Sequence, residues 1–446
     1  MAHPEHNVPL WRQLQLTASA LLAIRSGVSG TAALDRIPGD MRPGVQALIF
    51  HVLRSLGRAE AIRQKLAKRT PPPPADALLC TALALAWCDT DAPYEVFTLV
   101  NQAVEAAKRD AATQAQASFI NACLRRFLRE RDALVASTDQ NLVAVWNHPK
   151  WWVDRLKRDW PQTWQAILAS NNRQPPMTLR VNRRQTSVAD YLTALQNAGI
   201  GAYATGSSGV VLLQAKPVQM LPEFATGGVS VQDSAAQMAA PLLLSGLKQA
   251  SEPVPASLRV LDACAAPGGK TAHLLEWADV EVMALEIDAT RAERIHQTLQ
   301  RLALKARVVV ADASKVATWW DGHLFDAVLL DAPCSASGIV RRHPDVRWLR
   351  RETDIGQLVK IQAHLLQVLW GLVRPGGRLL YCTCSVFKAE GSEQIETFLA
   401  HNTDAGLMAS PGHLMPRSKP GGDTLPDNSL GDHDGFYYAL LQKNPA

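Results

Sequence analysis

The N-terminal third of the chain has the hydrophobic pattern of a helical domain. Apolar residues recur at three- and four-residue intervals through most of residues 1–135, which is the spacing of amphipathic helices. Two segments interrupt the pattern, IPGDMRPG at residues 37–44 and TPPPPAD at residues 70–76. The second predicts a short stiff spacer, because a run of prolines cannot sit inside a helix. We therefore predict a helical domain over residues 1–145.

Residues 146–250 show a mixed pattern of strands and helices. Five tryptophans stand within residues 146–164, and we assign them to the core and to a domain boundary rather than to base stacking. The predicted elements that follow are a strand over 171–182, a helix over 188–198 and a strand over 209–214. This order predicts a small α/β domain, followed by a linker, ASEPVPAS, at residues 250–257.

From residue 258 onward, strand-like apolar runs alternate with helical stretches. The predicted strands cover residues 258–264, 280–288, 306–312, 325–333 and 377–385. Continuous apolar strands separated by helices predict a parallel, doubly wound sheet covered on both faces, which binds ligands beyond the carboxyl ends of its strands. A loop rich in Gly, Pro and Asp (410–435) and a last strand (435–443) complete a domain assigned to residues 251–446.

The composition is that of a multi-domain globular protein. The chain has 446 residues, of which 47% are hydrophobic and 20% charged, enough for two or three domains. No apolar run approaches the roughly 18 to 20 residues of a membrane span, and the first residues lack the pattern of a secretory signal. We therefore expect a cytoplasmic monomer with no membrane partner. The seven cysteines should be free thiols in that compartment.

The distribution of positive charge points to a polyanionic partner. Residues 1–150 carry 17 Lys and Arg against 13 Asp and Glu, and residues 121–134 predict a helix with four arginines. The segment RRHPDVRWLRR at residues 341–351 has five arginines and one tryptophan against one aspartate. Arginines interleaved with an aromatic residue suit phosphate contacts and base stacking. An ordinary solvated surface explains the N-terminal charge equally well, whereas the 341–351 segment favours nucleic acid.

The segment LDACAAPGGKT (261–271) predicts a cofactor-binding turn. Gly268 and Gly269 let the backbone turn tightly between the first strand and a helix, whose first N–H groups are open to a ligand. Neither the GxGxxG pattern nor the phosphate loop GxxxxGK[ST] is present, so the turn indicates a nucleotide-like cofactor of unspecified kind. Glu286, at the end of the second strand, is placed to bind ribose hydroxyls. Asp312 ends the third strand and could bind an adenine amino group, while helix capping is the alternative role of such acids.

Two further segments contain candidate catalytic residues. LLDAPCSASG brings Asp331 and Cys334 to the end of the fourth strand, and YCTCS brings Cys382 and Cys384 to the end of the fifth. The two closely spaced cysteines allow a redox couple, half of a metal site, or one nucleophile beside a passive neighbour. A zinc site is the weakest of these, because no CxxC or HxxxH segment supplies further ligands, and we predict no metal.

Three motifs resemble those of the RNA 5-methylcytosine methyltransferases: DACAAPGGKT, DAPCSASG and YCTCS. Three further segments extend the resemblance to the bacterial members that act on 16S ribosomal RNA: NNRQPPMTLRVN, VQDSAAQ and RRHPDVRWLRR. The resemblance implies a NusB-like helical domain, a small α/β domain and a Rossmann-like class I methyltransferase domain. It also implies that S-adenosylmethionine is the cofactor and that carbon 5 of cytosine 967 in 16S ribosomal RNA is the methylated atom.

The resemblance also assigns roles to individual residues. Cys384 is the nucleophile that attacks carbon 6 of cytosine, Cys334 helps to resolve the covalent adduct, and Asp331 hydrogen-bonds the cytosine ring. The implied cofactor contacts are Cys264, Ala265, Ala266, Pro267, Gly268, Gly269, Lys270, Glu286, Asp312 and Asp331. Related enzymes usually carry Asp where this chain has Glu286, so we expect an altered geometry there. From the charge pattern we predict RNA contacts by Arg125, Arg126, Arg341, Arg342, His343, Arg347 and Arg350.

Two other functions remain compatible with the sequence. The first is methylation of cytosine in transfer RNA by the same catalytic domain, because the physics of the sequence does not select the nucleotide. The second is a non-catalytic RNA-binding assembly factor, which a NusB-like domain alone would suggest. The glycine turn together with both motif cysteines favours an enzyme over the second alternative.

Overall fold

The computed structural model describes residues 8–88, 93–247, 257–416 and 432–445. The predicted linker at 250–257 lies almost entirely outside these residues, as does most of the predicted loop at 410–435. The chain divides into two compact units. The first comprises Met1–Arg173 and Val340–Arg351, and the second comprises Gln174–Ile339 and Glu352–Ala446.

The first unit is helical, as the periodicity predicts. Its helices are α1 (Leu10–Arg25), α2 (Gly30–Asp35), α3 (Arg42–Leu66), α4 (Pro73–Ala86), α5 (Val96–Lys108), α6 (Ala117–Ala136), α7 (Leu142–Trp146), α8 (Lys150–Asp159), α9 (Trp164–Asn171) and, from the second segment, α14 (Val346–Leu349). Helix α4 forms the centre of the core, since every residue from Ala75 to Ala86 is buried. It packs against α1, α3 and α5. Trp152 of the tryptophan-rich segment is also fully buried.

The two predicted breaks in the helical region are shorter than the sequence suggested. Helix α3 begins at Arg42 and α4 at Pro73, so each takes its first turn from residues that we had assigned to the break. The prediction of a spacer over all of residues 70–76 is therefore wrong. Proline is tolerated in the first turn because its missing N–H would have no acceptor there in any case.

The segment Val340–Arg351 is part of the helical unit although it lies between two elements of the other unit in sequence. The Asp345 carboxylate accepts a hydrogen bond from the Gly30 main-chain N–H (2.8 Å) at the start of α2. The Trp348 indole N–H donates to the Leu53 carbonyl oxygen (3.0 Å) on α3. These contacts tie α14 to helices that precede it by about 300 residues.

The second unit contains a small antiparallel sheet. Its strands are β1 (Met177–Val181), β2 (Ala202–Thr205), β3 (Gly209–Leu212) and β4 (Val229–Val231), in the order β2-β3-β1-β4. Helix α10 (Val188–Asn197) covers one face with Tyr191 and Leu195, which pack on Leu179 and Val210. The predicted strands and helix of this region are confirmed, whereas β2 and β4 were not predicted because each is short and flanked by polar residues.

The second unit also contains the large predicted sheet. Its strands are β5 (Leu258–Asp262), β6 (Val280–Glu286), β7 (Arg307–Val310), β8 (Phe325–Asp331), β9 (Val373–Thr383), β10 (Ala405–Leu407), β11 (Gly412–Leu414) and β12 (Phe436–Lys443). The order is β10-β12-β9-β8-β5-β6-β7, with β11 paired to β12. Five neighbouring strands of this order are parallel: β9, β8, β5, β6 and β7. The sheet as a whole is mixed, because β12 returns antiparallel to β9.

Helices cover both faces of this sheet, as the continuous apolar strands predict. They are α11 (Ala239–Leu244), α12 (Gly269–Trp277), α13 (Ala289–Arg301), α15 (Glu352–Trp370) and α16 (Ser392–His401). Residues of α11, α12 and α13 pack in one core cluster, and residues of α15 and α16 pack in a second cluster. In the part of the chain that the structure describes, no helix is both long and apolar enough to cross a membrane.

Candidate active site

The glycine turn lies at the carboxyl end of β5, between Asp262 and the start of α12. Gly268 has φ +93°, and a Cβ atom there would lie 3.1 Å from the Ile295 Cα atom. Both a left-handed backbone and a close approach to α13 therefore require glycine. The Ala265 N–H donates to the Leu285 carbonyl oxygen (2.9 Å), which fixes the turn against β6. The turn thus presents main-chain atoms and the first N–H groups of α12 to a ligand.

Glu286 is brought directly to this turn. It ends β6 and is buried, and its carboxylate accepts hydrogen bonds from the main-chain N–H groups of Ala266 (3.3 Å) and Asp288 (3.1 Å). The Glu286 side chain is long enough to reach the turn from the neighbouring strand. Asp288 caps α13 by accepting from the Arg291 N–H (3.0 Å).

Asp312 follows β7 at the same edge of the sheet. In the pairing of β6 with β7, Glu286 stands opposite Val310, two residues before Asp312. The Asp312 carboxylate accepts from the main-chain N–H (2.9 Å) and the hydroxyl (2.7 Å) of Ser314. These hydrogen bonds lower the pKa of Asp312 and keep the side chain ionised beside the turn.

Asp262 belongs to the site although sequence reasoning did not select it. Its side chain is fully buried, and Oδ2 accepts from the Thr271 hydroxyl (2.7 Å). Among the described residues, Oδ1 has no hydrogen-bond partner. Burial raises the pKa of Asp262 to about 7, although the Thr271 hydrogen bond opposes the rise. A buried carboxylate with a free oxygen at the mouth of a glycine turn suits a cationic ligand such as S-adenosylmethionine, so the residues present fit that cofactor.

Arg180 supports the turn from the small sheet. Its guanidinium is fully buried and forms a bidentate ion pair with Glu276 of α12, with both N–O distances at 2.8 Å. A further N–H of Arg180 donates to the Gly269 carbonyl oxygen (2.8 Å). The motif TLRV gave no sequence signal for this role, because an arginine in a short strand predicts an exposed charge.

Lys270 and Asp331 form an ion pair at the carboxyl ends of β5 and β8. The Lys270 Nζ atom lies 2.6 Å from Asp331 Oδ2, and both side chains are largely buried. Burial alone would lower the pKa of Lys270, but the charge of Asp331 and the nearby thiols of Cys382 and Cys384 raise it above its ordinary value. Lys270 is therefore close enough to interact with Cys384. The sequence offered Lys270 and the arginine-rich segment as cations near this thiol and did not decide between them.

Cys334 and Cys384 come together from adjoining parallel strands. Their Sγ atoms lie 3.3 Å apart, and both side chains are half-buried. The hydrogen bond to Cys384 and burial raise the pKa of Cys334 well above its ordinary value. The two thiols are therefore close enough to share a hydrogen bond. Strand β9 ends at Thr383, two residues earlier than the predicted strand, so Cys384 lies just beyond the sheet.

Cys382 lies inside β9 and is fully buried. It stands opposite Asp331 in the pairing of β9 with β8, and its thiol donates to Asp331 Oδ1 (3.4 Å). A passive neighbour of the nucleophile is one of the alternatives that the sequence allows, and the structure adds a weak polar contact between Cys382 and the ion pair. Cys382 is not in the sulfur pair, which consists of Cys334 and Cys384.

A buried carboxylate, Glu390, was also missed by sequence reasoning. It lies in a short 3-10 turn after β9 and accepts hydrogen bonds from Ser335 and Ser385, which immediately follow the two cysteines of the pair. Acid residues in a loop normally predict a solvated position, so sequence spacing gave no signal for this contact.

The arginine-rich segment is not the exposed surface that its composition suggested. Arg341 and Arg347 are buried within the helical unit. The Arg347 guanidinium donates to the carbonyl oxygens of Asn147 (3.2 Å) and Asn171 (2.7 Å) and to the side chain of Asn172. These placements do not fit direct RNA contacts by the two arginines. Arg347 lies on the one-turn helix α14, whereas Arg341 precedes that helix. A run of charged residues in the sequence does not reveal such burial.

The other predicted RNA contacts are accessible. Arg125 and His343 are exposed, and Arg126, Arg342 and Arg350 are partly so. On α6, Arg126 pairs with Glu130 at 3.0 Å, one helical turn away. Among the described residues, no group of three or more His, Cys, Asp or Glu side chains is placed to hold a metal ion.

Sequence models of three families match consecutive parts of the chain. Residues 17–129 match the NusB family, residues 148–219 match the ferredoxin-like domain of RsmF/B-like methyltransferases, and residues 250–442 match 16S rRNA methyltransferase RsmB/F. The predicted fold class of each region is confirmed by these matches. The domain limits that we drew from the sequence remain predictions.

Similar proteins span the same regions. Ribosomal RNA small subunit methyltransferase B of Vibrio cholerae is 38% identical over 96% of this chain and 96% of its own length. The protein of that name from Pseudomonas putida is 46% identical over 73% of each chain. The crystal structure of PH0851 has the same fold, with a TM-score of 0.73 at 24% identity over 96% of this chain and 99% of its own. A methyltransferase homologue from Pyrococcus horikoshii covers 68% of this chain and 97% of its own, with a TM-score of 0.55 at 25% identity.

The family matches, the relatives and the geometry of the site therefore agree. The glycine turn, the acids at successive strand ends and the paired thiols occupy the domain that the methyltransferase family model covers. The chain belongs to the RsmB/F family of 16S ribosomal RNA methyltransferases and is an S-adenosylmethionine-dependent RNA methyltransferase.

Proposed function

We propose that this enzyme methylates carbon 5 of a cytosine in 16S ribosomal RNA, through a covalent bond between Cys384 and carbon 6 of that cytosine. The resemblance gives cytosine 967 as the target. The observation that carries the proposal is the 3.3 Å separation of the Cys334 and Cys384 sulfurs beside the Lys270–Asp331 ion pair. The relatives named above act, by their names, on RNA of the small ribosomal subunit.

A covalent step is needed because carbon 5 of cytosine is a poor nucleophile. Addition of the Cys384 thiolate to carbon 6 breaks the double bond between carbons 5 and 6 and makes carbon 5 nucleophilic. S-adenosylmethionine, when bound, supplies an electrophilic methyl group. Removal of the proton from carbon 5 by a base then restores the double bond as the bond from sulfur to carbon 6 breaks.

The neighbouring side chains support both the formation and the breaking of this bond. Lys270 places positive charge near Cys384 and favours its thiolate. The Cys334 and Cys384 sulfurs are within hydrogen-bond distance at 3.3 Å, and the Cys334 thiol is proposed to donate to the Cys384 sulfur when it leaves carbon 6. Asp331 is fixed by Lys270 and Cys382 and is proposed to hydrogen-bond the cytosine ring.

The cofactor is proposed to bind at the glycine turn. The main chain of residues 264–270 and the carboxylates of Glu286 and Asp312 would hold it, with Asp262 supplying a free buried oxygen for its positive charge. The substrate cytosine has to leave its stack to reach Cys384. We propose that Arg125, Arg126, Arg342, His343 and Arg350 contact the RNA, on the basis of their accessibility.

Substitution of the two thiols tests the covalent mechanism. We expect Cys384→Ala to reduce methyl transfer by on the order of 10⁴-fold or more, because no other group replaces a covalent nucleophile. We expect Cys334→Ala to accumulate a covalent protein–RNA adduct, since the leaving thiolate loses its hydrogen bond. Incorporation of tritiated methyl groups and denaturing gels measure the two effects. Cys88→Ala, a half-buried thiol of the helical unit, is the matched control.

Substantial activity of Cys384→Ala would contradict the mechanism. The target is tested separately by bisulfite sequencing of RNA treated with the enzyme. Naked 16S ribosomal RNA, assembled 30S subunits and transfer RNA are the three substrates to compare. We expect one modified cytosine in 16S ribosomal RNA, and methylation confined to transfer RNA would contradict that part of the proposal.

A further inference from the structure

Glu390 connects the two loops that carry the paired cysteines. Its carboxylate accepts hydrogen bonds from the Ser335 main-chain N–H (2.8 Å), the Ser335 hydroxyl (2.5 Å) and the Ser385 hydroxyl (2.6 Å). Ser335 is the residue after Cys334, and Ser385 is the residue after Cys384. One carboxylate therefore holds the chain next to each sulfur.

The carboxylate is itself held firmly. Glu390 is fully buried, and the Gln362 amide of α15 donates to it (3.1 Å) as well as to the Pro333 carbonyl oxygen (2.9 Å). The main-chain carbonyl oxygen of Glu390 accepts from the hydroxyls of Tyr381 (3.0 Å) and Thr383 (3.2 Å) on β9. Glu390 is thus fixed to the sheet at one end and to the two loops at the other.

Direct contacts between the loops complete the network. The Ser337 and Ser385 hydroxyls are 2.8 Å apart, and the Gly338 N–H donates to the Cys384 carbonyl oxygen (2.9 Å). The serine hydroxyls and Glu390 are buried, where hydrogen bonds are strong and an unmatched donor is costly.

The chemistry of this network requires a carboxylate. Four N–H and O–H donors converge on its two oxygens, and an ionised carboxylate accepts at both. A glutamine of the same shape would turn an N–H group toward donors and leave them unmatched. An aliphatic side chain would fill the same space but would leave all four donors unmatched, which is costly in a buried site.

We infer that Glu390 is a positioning residue that sets the separation and orientation of the Cys334 and Cys384 thiols. This inference rests on the proposed covalent mechanism. The Glu390 carboxylate binds Ser335 and Ser385 and acts on the two thiols through these residues. Displacement of either loop would lengthen the 3.3 Å sulfur contact and move the nucleophile relative to the substrate.

The test compares Glu390→Gln with Glu393→Gln in the full-length protein. Glu393 is exposed on the first turn of α16, so its substitution removes the same charge without touching the loops. We expect Glu390→Gln to lower kcat by roughly 10²-fold, the effect of misplacing reacting atoms by about 1 Å. The KM and calorimetric Kd for S-adenosylmethionine should be unchanged, because the glycine turn is not in the network. We expect Glu393→Gln to match the wild type.

A second measurement follows the thiols without methyl transfer. We expect Glu390→Gln to change the rate at which iodoacetamide alkylates Cys384, while the alkylation of Cys88 in the same sample stays constant. Ser335→Ala provides a milder variant, which loses the hydroxyl bond but keeps the main-chain bond to Glu390. We expect smaller changes of the same kind in kcat and in the rate of Cys384 alkylation. This variant also tests the inference if Glu390→Gln does not fold.

Two results would overturn the inference. The first is a wild-type kcat and Cys384 alkylation rate in folded Glu390→Gln. The second, if that variant does not fold, is a wild-type kcat and alkylation rate in Ser335→Ala. Failure of the covalent mechanism is recognised differently, by activity that survives Cys384→Ala in an otherwise unchanged enzyme.

Discussion

Cys382 shows how differently two neighbouring cysteines of one motif are used. It lies two residues before Cys384, yet it is fully buried inside β9. Its thiol donates a hydrogen bond to Asp331. Strand alternation places both side chains on the same side of the sheet. The end of β9 at Thr383 separates them, because only Cys384 lies beyond the last strand residue.

This difference predicts that Cys382→Ala keeps its activity. We expect methyl transfer within severalfold of the wild type, because Lys270 still holds Asp331 at 2.6 Å. The lost packing and weak hydrogen bond should lower the free energy of unfolding by about 1 to 2 kcal/mol. Methyl incorporation and urea denaturation measure the two effects. A loss of activity as large as that of Cys384→Ala would place Cys382 in the reaction.

A second residue-scale prediction concerns the pH dependence of stability at Asp262. Burial raises its pKa in the folded protein from 3.8 to about 7, so between these values the folded state holds a proton that the unfolded state has released. Stability must therefore fall as pH rises through this range. Between pH 5 and 8 the loss is about 3 kcal/mol, since the folded carboxyl ionises only near pH 7.

Asp262→Asn removes this titration. The measured quantity is the free energy of unfolding of the variant minus that of the wild type. We expect this difference to rise by about 3 kcal/mol from pH 5 to pH 8, and urea denaturation at both pH values measures it. Asp279→Asn, at a side chain that is 92% exposed, is the control for loss of one negative charge. An equal stability difference at both pH values would contradict the assignment.

At the scale of elements, the site depends on how β5 passes into α12. The left-handed backbone of Gly268 and its approach to Ile295 fix the direction in which the helix leaves the strand. Glu286 and Arg180 then hold this turn from two different elements, β6 and β1. The small sheet therefore supports the proposed cofactor site although it carries none of its motifs.

We expect Gly268→Ala to weaken cofactor binding while Gly269→Ala does not. A Cβ at position 268 would be strained by φ +93° and would lie 3.1 Å from the Ile295 Cα atom, whereas at position 269 it would meet only the Gln232 side chain at 3.8 Å. The strain should lower stability by about 1 to 3 kcal/mol. Calorimetry of S-adenosylmethionine binding measures the difference, and equal affinities of the two variants would contradict it.

At the scale of the whole molecule, the burial of each arginine determines whether its positive charge is accessible to RNA. The helical unit is completed by residues 340–351, which follow the Cys334 loop along the chain. Arg347 stabilises that unit by hydrogen bonds to α7–α9 and their connections, so part of the positive charge counted in the sequence lies inside the protein. Only the accessible arginines remain available for RNA.

We therefore expect the Arg125→Ala, Arg126→Ala double variant to bind 16S ribosomal RNA more weakly. Loss of two phosphate contacts should reduce the slope of log affinity against log salt concentration by about 1.4 to 1.8. Arg12→Ala, Arg36→Ala removes two other exposed arginines of the same unit and is the matched control. Filter binding at several salt concentrations measures both variants, and identical slopes would show that α6 does not contact the RNA.

The sequence alone determined the elements and the motifs of this protein. Hydrophobic periodicity is a local property, so it predicted the helical N-terminal region and the five parallel strands. The glycine turn was predicted from its residue types, and the roles of the motif cysteines were implied by their resemblance to the RNA 5-methylcytosine methyltransferases. By contrast, the antiparallel return of β12 depends on which sheet edge is free, and no local pattern encodes it.

Only the tertiary structure decided which of these residues meet. Three contacts show this: Lys270 lies near Cys384, Glu390 binds Ser335, and Arg180 binds Gly269, at sequence separations of 114, 55 and 89 residues. Burial could not be predicted from the sequence either. A run of charged residues has the same composition whether its side chains are exposed to solvent or, as for Arg347, buried in the interior. Contact and burial are properties of the packed chain, and they determine the ionisation and position on which the chemistry depends.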